Sequence, residues 1–236
     1  MQYSVVIPLK DEAENIEALV YELEATMQGL GKPWELICVD DGSQDNTALL
    51  LQKLANEKPF LRAIIFNGNY GQSSAFDAGF QTARGEFLIT MDGDGQNDPA
   101  DIPNLVKKMD SSDLVCGYRK KRQDSLLKKW ISHLANFTRS RVCQDGVRDT
   151  GCSLKIYRTH CLHKLKMYQG MHRFLPALFV IEGFRVSEAP VNHRPRLKGR
   201  SHYNLWNRSL NTIVDMFAVH WMRKRRLQYK IAKEIP

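Results

Sequence analysis

GEFLITMDGDGQNDP, Gly85 to Pro99, runs from an apolar stretch straight into Asp92, Asp94, Gln96 and Asp98. Carboxylates gathered this closely repel one another and cost stability unless something neutralises them. A divalent cation would do so, since hard cations such as magnesium or manganese take oxygen ligands. If the apolar run is a buried strand, the acids stand at its carboxyl end. That is where open, parallel α/β sheets bind their ligands.

The sequence on both sides supports that reading. YSVVIPL (3–9), ELICVDDG (35–42), RAIIF (62–66), EFLITMD (86–92) and DLVCGYR (113–119) are short, β-rich runs, nearly continuous in apolar residues as strands covered on both faces are. Helical patterns fall between them, at about 12–30, 45–57, 72–84 and 100–110. Asp45 is placed to cap the second helix, and DPADIP (98–103) to lead into a helix with proline near its first turn. Strand–helix alternation implies a mostly parallel, Rossmann-like α/β sheet with helices on both faces. Two further polar clusters, PLKDE and VDDGSQDNT, close the first and second strands. One such cluster is an ordinary turn; three at strand ends converge on a site.

The pattern changes after about residue 120. DSLLKKWISHLANFTRSR (124–141) and HRFLPALFVIEGF (172–184) have helical spacing, FRVSEAPV (184–191) alternates like a strand, and RPRLKGRSHYN (194–204) is a basic loop. LWNRSLNTIVDMFAVHWM (205–222) is an amphipathic helix followed at once by RKRR. The chain therefore divides into an α/β unit over 1–204 and a basic amphipathic segment over 205–236.

Charge follows the same division. The 236 residues carry a formal +8, yet residues 194–236 hold 11 Lys and Arg against only Asp215 and Glu234, leaving the rest near neutral. Such a tail seeks an anionic partner. The five cysteines form no C-x-x-C pair, which argues against a zinc site or disulfide framework and for a reducing cytoplasm. The first residues have no signal-peptide pattern, and no segment reaches the ~18 apolar residues of a membrane span.

In order along the chain, VVIPLKDEAENI, ICVDDGSQDNT, NYGQSSAFDAGF, GEFLITMDGDGQNDP, RKKRQDSLLKKWISHLAN, RDTGCSLKIYR, MHRFLPAL and NHRPRLKGRSHYN resemble the family 2 GT-A glycosyltransferases. Within them, the chain is similar to dolichyl-phosphate mannose synthase and the bacterial undecaprenyl-phosphate sugar transferases. The resemblance covers roughly residues 2–222. It implies a GT-A fold and an inverting, metal-dependent transfer of a sugar from a nucleotide-diphosphate donor to a polyprenyl phosphate, in cell-envelope glycan or lipid biosynthesis.

The resemblance also implies roles. Pro8, Lys10, Glu12, Asp40, Asp41, Gln72 and Asp92 would bind the nucleotide, with Asp41 accepting from the base. Asp92, Asp94 and Gln96 match a D-x-D-x-Q site for Mg2+ or Mn2+, with Asp94 catalytic. Arg119, Arg196 and Arg200 match phosphate contacts, where a guanidinium fork suits the anion. Ser201 and His202 join Arg196 at the acceptor phosphate, and Asp149 either orients the acceptor or closes a structural turn. The chain departs from the family at Lys10, where an aromatic is usual, at Gly68, where arginine is usual, and at His202, where lysine is usual.

A lipid phosphate is already anionic, so its attack needs cations to bring two anions together, not a general base. HRPRLKGR supplies them. The basic helix reads as an anchor to an anionic membrane surface, peripheral on the cytoplasmic face, alone or with an integral membrane partner. UDP is favoured over GDP. The same fold acting on a saccharide hydroxyl is the alternative, and a nucleic-acid-binding module, which leaves the three acidic clusters unexplained, the remote one.

Overall fold

The structure is a computed structural model that describes residues 1–120, 139–195 and 205–235, with 205–210 as backbone only. Seven strands form one sheet in the order β3-β2-β1-β4-β6-β5-β7. They are β1 (Tyr3–Leu9), β2 (Trp34–Asp40), β3 (Leu61–Ile65), β4 (Phe87–Thr90), β5 (Leu114–Arg119), β6 (Lys155–Arg158) and β7 (Val186–Val191). β1 is central, parallel to β2 and β4, and every one of its residues is buried. That is why its sequence reads as an unbroken apolar run.

Alternation along β1 feeds two cores, because successive side chains leave a strand on opposite faces. Val5, Ile7 and Leu9 meet α1 (Ile16–Gly29), α2 (Thr47–Glu57) and α4 (Ile102–Val106) through residues such as Leu23, Leu51 and Ile102. Val6 meets the other face, with Phe76 and Phe80 of α3 (Gln72–Thr82), Tyr157, and Phe179 of α6 (Leu175–Ile181). Met216 and Val219 of α7 (Leu205–Arg225) belong to this second cluster. Short α5 (Thr159–Leu162) follows β6. All five cysteines are buried, and burial pushes the Cys38 and Cys116 thiols up to about 12.

Several boundaries differ from the sequence reading, each for a local reason. The first helix starts at Ile16 because residues 11–13 bond to the loop after β2 instead of continuing the helix. The stretch 100–110 begins as a 3-10 turn, Pro99–Asp101, whose Ala100 N–H is capped by the Asp98 carboxylate, and its α-helix stops at Val106. The stretch 172–184 splits into a turn at Met171–Arg173 and α6, with Pro176 in the helix's first turn. β6 was not read from the sequence. It is four residues, one of them Lys155, and it exists because it pairs antiparallel with β4 and β5 on either side. Of the helix expected at 124–141, only 139–141 lies within the described residues, inside a helical stretch over 139–143. The basic loop at 194–204 also falls mostly outside them.

Below the site, Glu35 ties three segments together. It accepts from Ser4 Oγ at 2.7 Å, Arg62 Nη1 at 2.7 Å and the Arg84 amide at 2.8 Å. Burial alone would raise its pKa, but these bonds outweigh burial and hold it below the ordinary glutamate value.

Candidate active site

The carboxyl ends of β1, β2 and β4 open onto one cleft of about 640 Å³. The loop after β1 is laced to the loop after β2. Lys10 Nζ donates to the Gly42 carbonyl, the Asp11 amide to Ser43 Oγ at 2.8 Å, and the Glu12 amide to Thr47 Oγ1 at 2.9 Å. In return the Gln44 amide donates to Asp11 Oδ1 at 2.7 Å. Asp45 accepts from the Ala13 amide at 3.1 Å and from the Thr47 amide at 2.9 Å, so it serves the helix start two residues ahead of α2. Gly42 also lets the loop after β3 approach: its φ is +65°, and a Cβ there would lie 2.5 Å from the Gly68 backbone.

The adjacent aspartates of the second loop have different surroundings. Asp40 is buried and accepts from the amide and hydroxyl of Ser43, so it holds the turn. Asp41 lines the cleft and accepts from the Tyr70 amide at 2.6 Å and the Gly71 amide at 2.9 Å. A carboxylate offers about four acceptor positions, so capacity remains for a ligand.

At the end of β4, Asp92 and Asp94 both line the cleft. Gln72 Nε2 donates to Asp92 Oδ1 at 2.9 Å, and the Asp92 amide donates to Ser153 Oγ at 3.2 Å. Burial first, then the Asp94 charge, raises the Asp92 pKa, against the pull of Ser153, Lys155 and Gln72. This is the electrostatic condition of a carboxylate pair built to meet a cation. Gly93 between them leaves room for Leu9, because a Cβ there would lie 2.2 Å from Leu9 Cδ2. Among the described residues, no three His, Cys, Asp or Glu side chains are grouped to hold a metal. Two carboxylates on a cleft wall suit a cation whose other ligands come from a bound oxyanion.

Pro8, Lys10, Glu12 and Gln72 line the same cleft. Gln96 does not: its amide donates to Asp94 Oδ1 at 3.1 Å and its carbonyl accepts from the Arg194 amide at 2.9 Å. Arg119 and Asp149 lie outside the cleft lining and pair with each other, Nε to Oδ2 at 2.7 Å and Nη2 to Oδ1 at 2.8 Å. Arg196, Arg200, Ser201 and His202 fall outside the described residues.

The far wall was not anticipated. Gln169, His172 and Arg173 come from the turn before α6, and Asn211, Val214 and Asp215 from α7. His172 Nδ1 is 2.6 Å from Ser73 Oγ, which fixes that ring against the start of α3. Beyond Asp92 a recess of about 120 Å³ includes Thr150, Tyr157, His172 and the buried Lys155, whose ammonium donates to the Cys152 carbonyl. RDTGCSLKIYR and MHRFLPAL carried this signal as motifs, but nothing in their spacing placed them opposite β4.

Residues 4–166 match the model of glycosyl transferase family 2. A dodecaprenyl-phosphate galacturonate synthase of Rhizobium johnstonii is 40% identical over 225 residues, covering 93% of this chain and 66% of that protein. An undecaprenyl-phosphate 4-deoxy-4-formamido-L-arabinose transferase of Salmonella gallinarum is 38% identical over 215 residues, covering 90% and 65%. The chain thus spans just under two thirds of the length of these relatives. Among solved structures, glucosyl-3-phosphoglycerate synthase from Mycobacterium tuberculosis, holding Mn2+, uridine diphosphate and phosphoglyceric acid, superposes with a TM-score of 0.72 at 17% identity over 93% of this chain and 78% of that one. A mannosyltransferase from Pyrobaculum calidifontis with GDP-mannose and Mn2+ gives 0.67 at 20% identity over 92% and 63%. The shared fold is GT-A.

Proposed function

Since the chain belongs to glycosyl transferase family 2, we propose that it transfers a sugar, with inversion, from a nucleoside diphosphate donor to a polyprenyl phosphate. The observation that carries this reading is the convergence of Asp41, from the end of β2, with Asp92 and Asp94, from the end of β4, on one cleft. The names of the two polyprenyl-phosphate relatives support the acceptor class.

Asp41 accepts from the base, while Asp40 keeps the turn that carries it. Pro8, Lys10 and Glu12 wall the nucleoside, and Gln72 orients Asp92. Asp94 and Asp92, with Gln96 nearby in sequence, are the residues that would hold Mg2+ or Mn2+. The bound cation supplies Lewis-acid charge neutralisation at the diphosphate. The resemblance to the bacterial transferases favours UDP over GDP.

The acceptor phosphate oxygen attacks the anomeric carbon from the face opposite the leaving group. A new C–O bond forms as the bond to the donor's β-phosphate breaks, and the electron pair leaves on the nucleoside diphosphate. No proton has to be removed, so no general base is required. Arg119, held in orientation by Asp149, together with Arg196, Arg200, Ser201 and His202, meets the acceptor phosphate. Residues 1–204 form the catalytic unit, working peripherally on the cytoplasmic membrane face, where an integral membrane partner has access.

The test pairs a thermal-shift screen of UDP and GDP, with and without Mn2+, with transfer assays from UDP-sugars to farnesyl phosphate. Stabilisation by UDP that requires Mn2+ and an acid-labile, phosphatase-resistant product are expected. Product formed only on saccharide hydroxyls, or full activity in EDTA, overturns the reading.

A further inference from the structure

Lys155 is 4% exposed, the only buried lysine among the described residues. Alternation along β6 puts it on the same face as Tyr157, which belongs to the second core cluster. An ammonium has three protons to donate. One goes to the Cys152 carbonyl. Among the described residues, no other acceptor takes the remaining two, and no carboxylate forms an ion pair with them. A buried ammonium without a counter-charge is costly to keep. Its position signals an anion supplied from outside the chain.

The recess of about 120 Å³ that Lys155 lines adjoins the cleft and shares Asp92, His172 and Arg173 with it. Arg173 adds a second cation, anchored through Nη1 to Thr212 Oγ1 at 3.0 Å. His172 adds a donor of fixed identity. The Gly170 amide donates to Ser73 Oγ at 3.0 Å, so the Ser73 hydroxyl proton goes to His172 Nδ1 at 2.6 Å. The ring proton is then on Nε2. Asp92 is the one carboxylate on this lining among the described residues. Under the proposed function it would face the cation at the diphosphate, and the charge left on the recess is positive.

The donor's sugar is joined to the phosphate that such a cation clamps, so the sugar is the group set down beside Asp92. Phe76 and Phe80 of the second core close the lining, so the recess admits a short group and not a prenyl chain. We propose that this recess takes a carboxylate carried by the donor sugar, and that the chain transfers a uronic acid in preference to a neutral hexose. Lys155 meets the carboxylate as an ion pair, supported by Arg173 and His172. A neutral hexose leaves the buried ammonium uncompensated, which is how the recess discriminates. The inference rests on the proposed nucleotide-sugar transfer and names its substrate class.

The experiment is calorimetric titration of the full chain, with Mn2+, by UDP, UDP-glucuronate, UDP-galacturonate, UDP-glucose and UDP-galactose. The uronates are expected to bind about tenfold more tightly than the hexoses, as a charged hydrogen bond provides. Lys155→Met should bring the uronates down to the level of the hexoses while keeping the affinity for UDP. Its melting temperature should hold or rise, since an uncompensated buried charge is removed. Lys155→Arg should restore part of the preference. Equal binding of uronates and hexoses by the parent overturns the inference, and that comparison needs no variant to fold. A Lys155→Met chain that keeps the uronate preference overturns it too. So does one that loses affinity for farnesyl phosphate with uronate binding intact, which assigns the recess to the acceptor. Transfer to farnesyl phosphate is measured separately. UDP binding and transfer without a uronate preference defeat this inference alone; a uronate preference without transfer defeats the proposed acceptor alone. Absence of binding by UDP and every UDP-sugar overturns both.

Discussion

The two walls of the cleft are made differently. The wall from β1, β2 and β4 is laced by backbone amides donating to carboxylates and hydroxyls: Asp11 to Ser43, Gln44 to Asp11, Tyr70 and Gly71 to Asp41. The opposite wall rests on side chains from distant segments: Ser73 with His172, and Arg173 with Thr212 at 3.0 Å. Backbone-anchored carboxylates are fixed before a ligand arrives, which suits a donor of constant shape. Under the proposed function, the wall of side chains on a turn and an amphipathic helix is the one an acceptor would meet. The difference teaches that, under the proposed function, donor recognition would be built into the sheet and acceptor recognition carried by elements added around it.

Substitutions can break or sharpen that contrast. The largest effect is expected from Asp94→Ala, which should lower kcat by at least ~10³-fold, in the range seen when a transition-state electrostatic contact is lost. Its melting temperature should stay near the parent's, as differential scanning calorimetry will show. Metal-dependent nucleotide binding should vanish with it; persistence of that binding would detach the donor wall from the cation.

Glu35→Ala comes next, because it leaves Arg62 and the Arg84 amide without their buried acceptor. Breaking such a pair costs about 3 kcal/mol, readable by chemical denaturation. The pH dependence has a definite sign. The folded-state pKa of Glu35 is lowered, so its contribution is complete above the ordinary glutamate range and is lost as pH falls through the lowered value. Glu35→Gln should flatten stability against pH in that acid window alone; an unaltered acid limb would remove Glu35 from the account.

Gly93→Ala should cost about 1–2 kcal/mol, since the new methyl overpacks buried Leu9. It should also raise KM for the donor by displacing Asp92 and Asp94. The smallest effect is expected at the Arg119–Asp149 pair, outside the cleft lining. Asp149→Asn weakens the fork that orients Arg119 and should raise KM for the prenyl phosphate about tenfold, with KM for the nucleotide sugar unchanged. A change confined to the donor KM would remove Arg119 from acceptor recognition.

Much of the donor wall was legible in advance. β1, β2 and β4 announce themselves as apolar runs, and Asp41, Asp92 and Asp94 follow directly on such runs, so their place at the rim needs only local reasoning. Gln96 shows the limit of a motif: two residues from Asp94, it turns its backbone into the Asp94 and Arg194 contacts and stays out of the cleft lining. β6 was invisible because four residues containing a lysine make a strand only between two neighbours. Helix α7 was recognised as amphipathic, yet no periodicity tells which apolar residues meet the core; Val219 does and Trp221 does not.

What the chain determined by itself is whatever arises between neighbours in sequence: strand–helix alternation, acid-rich turns after apolar strands, and the separation of basic charge into the last residues. Tertiary structure alone decided the rest. It brought His172 to Ser73 and buried Lys155 in the recess beyond Asp92. It also chose the side of α7 that stays open. The physical reason is range: propensity and patterning act over a few residues, while burial, charge pairing and register act between segments that only the folded sheet brings together.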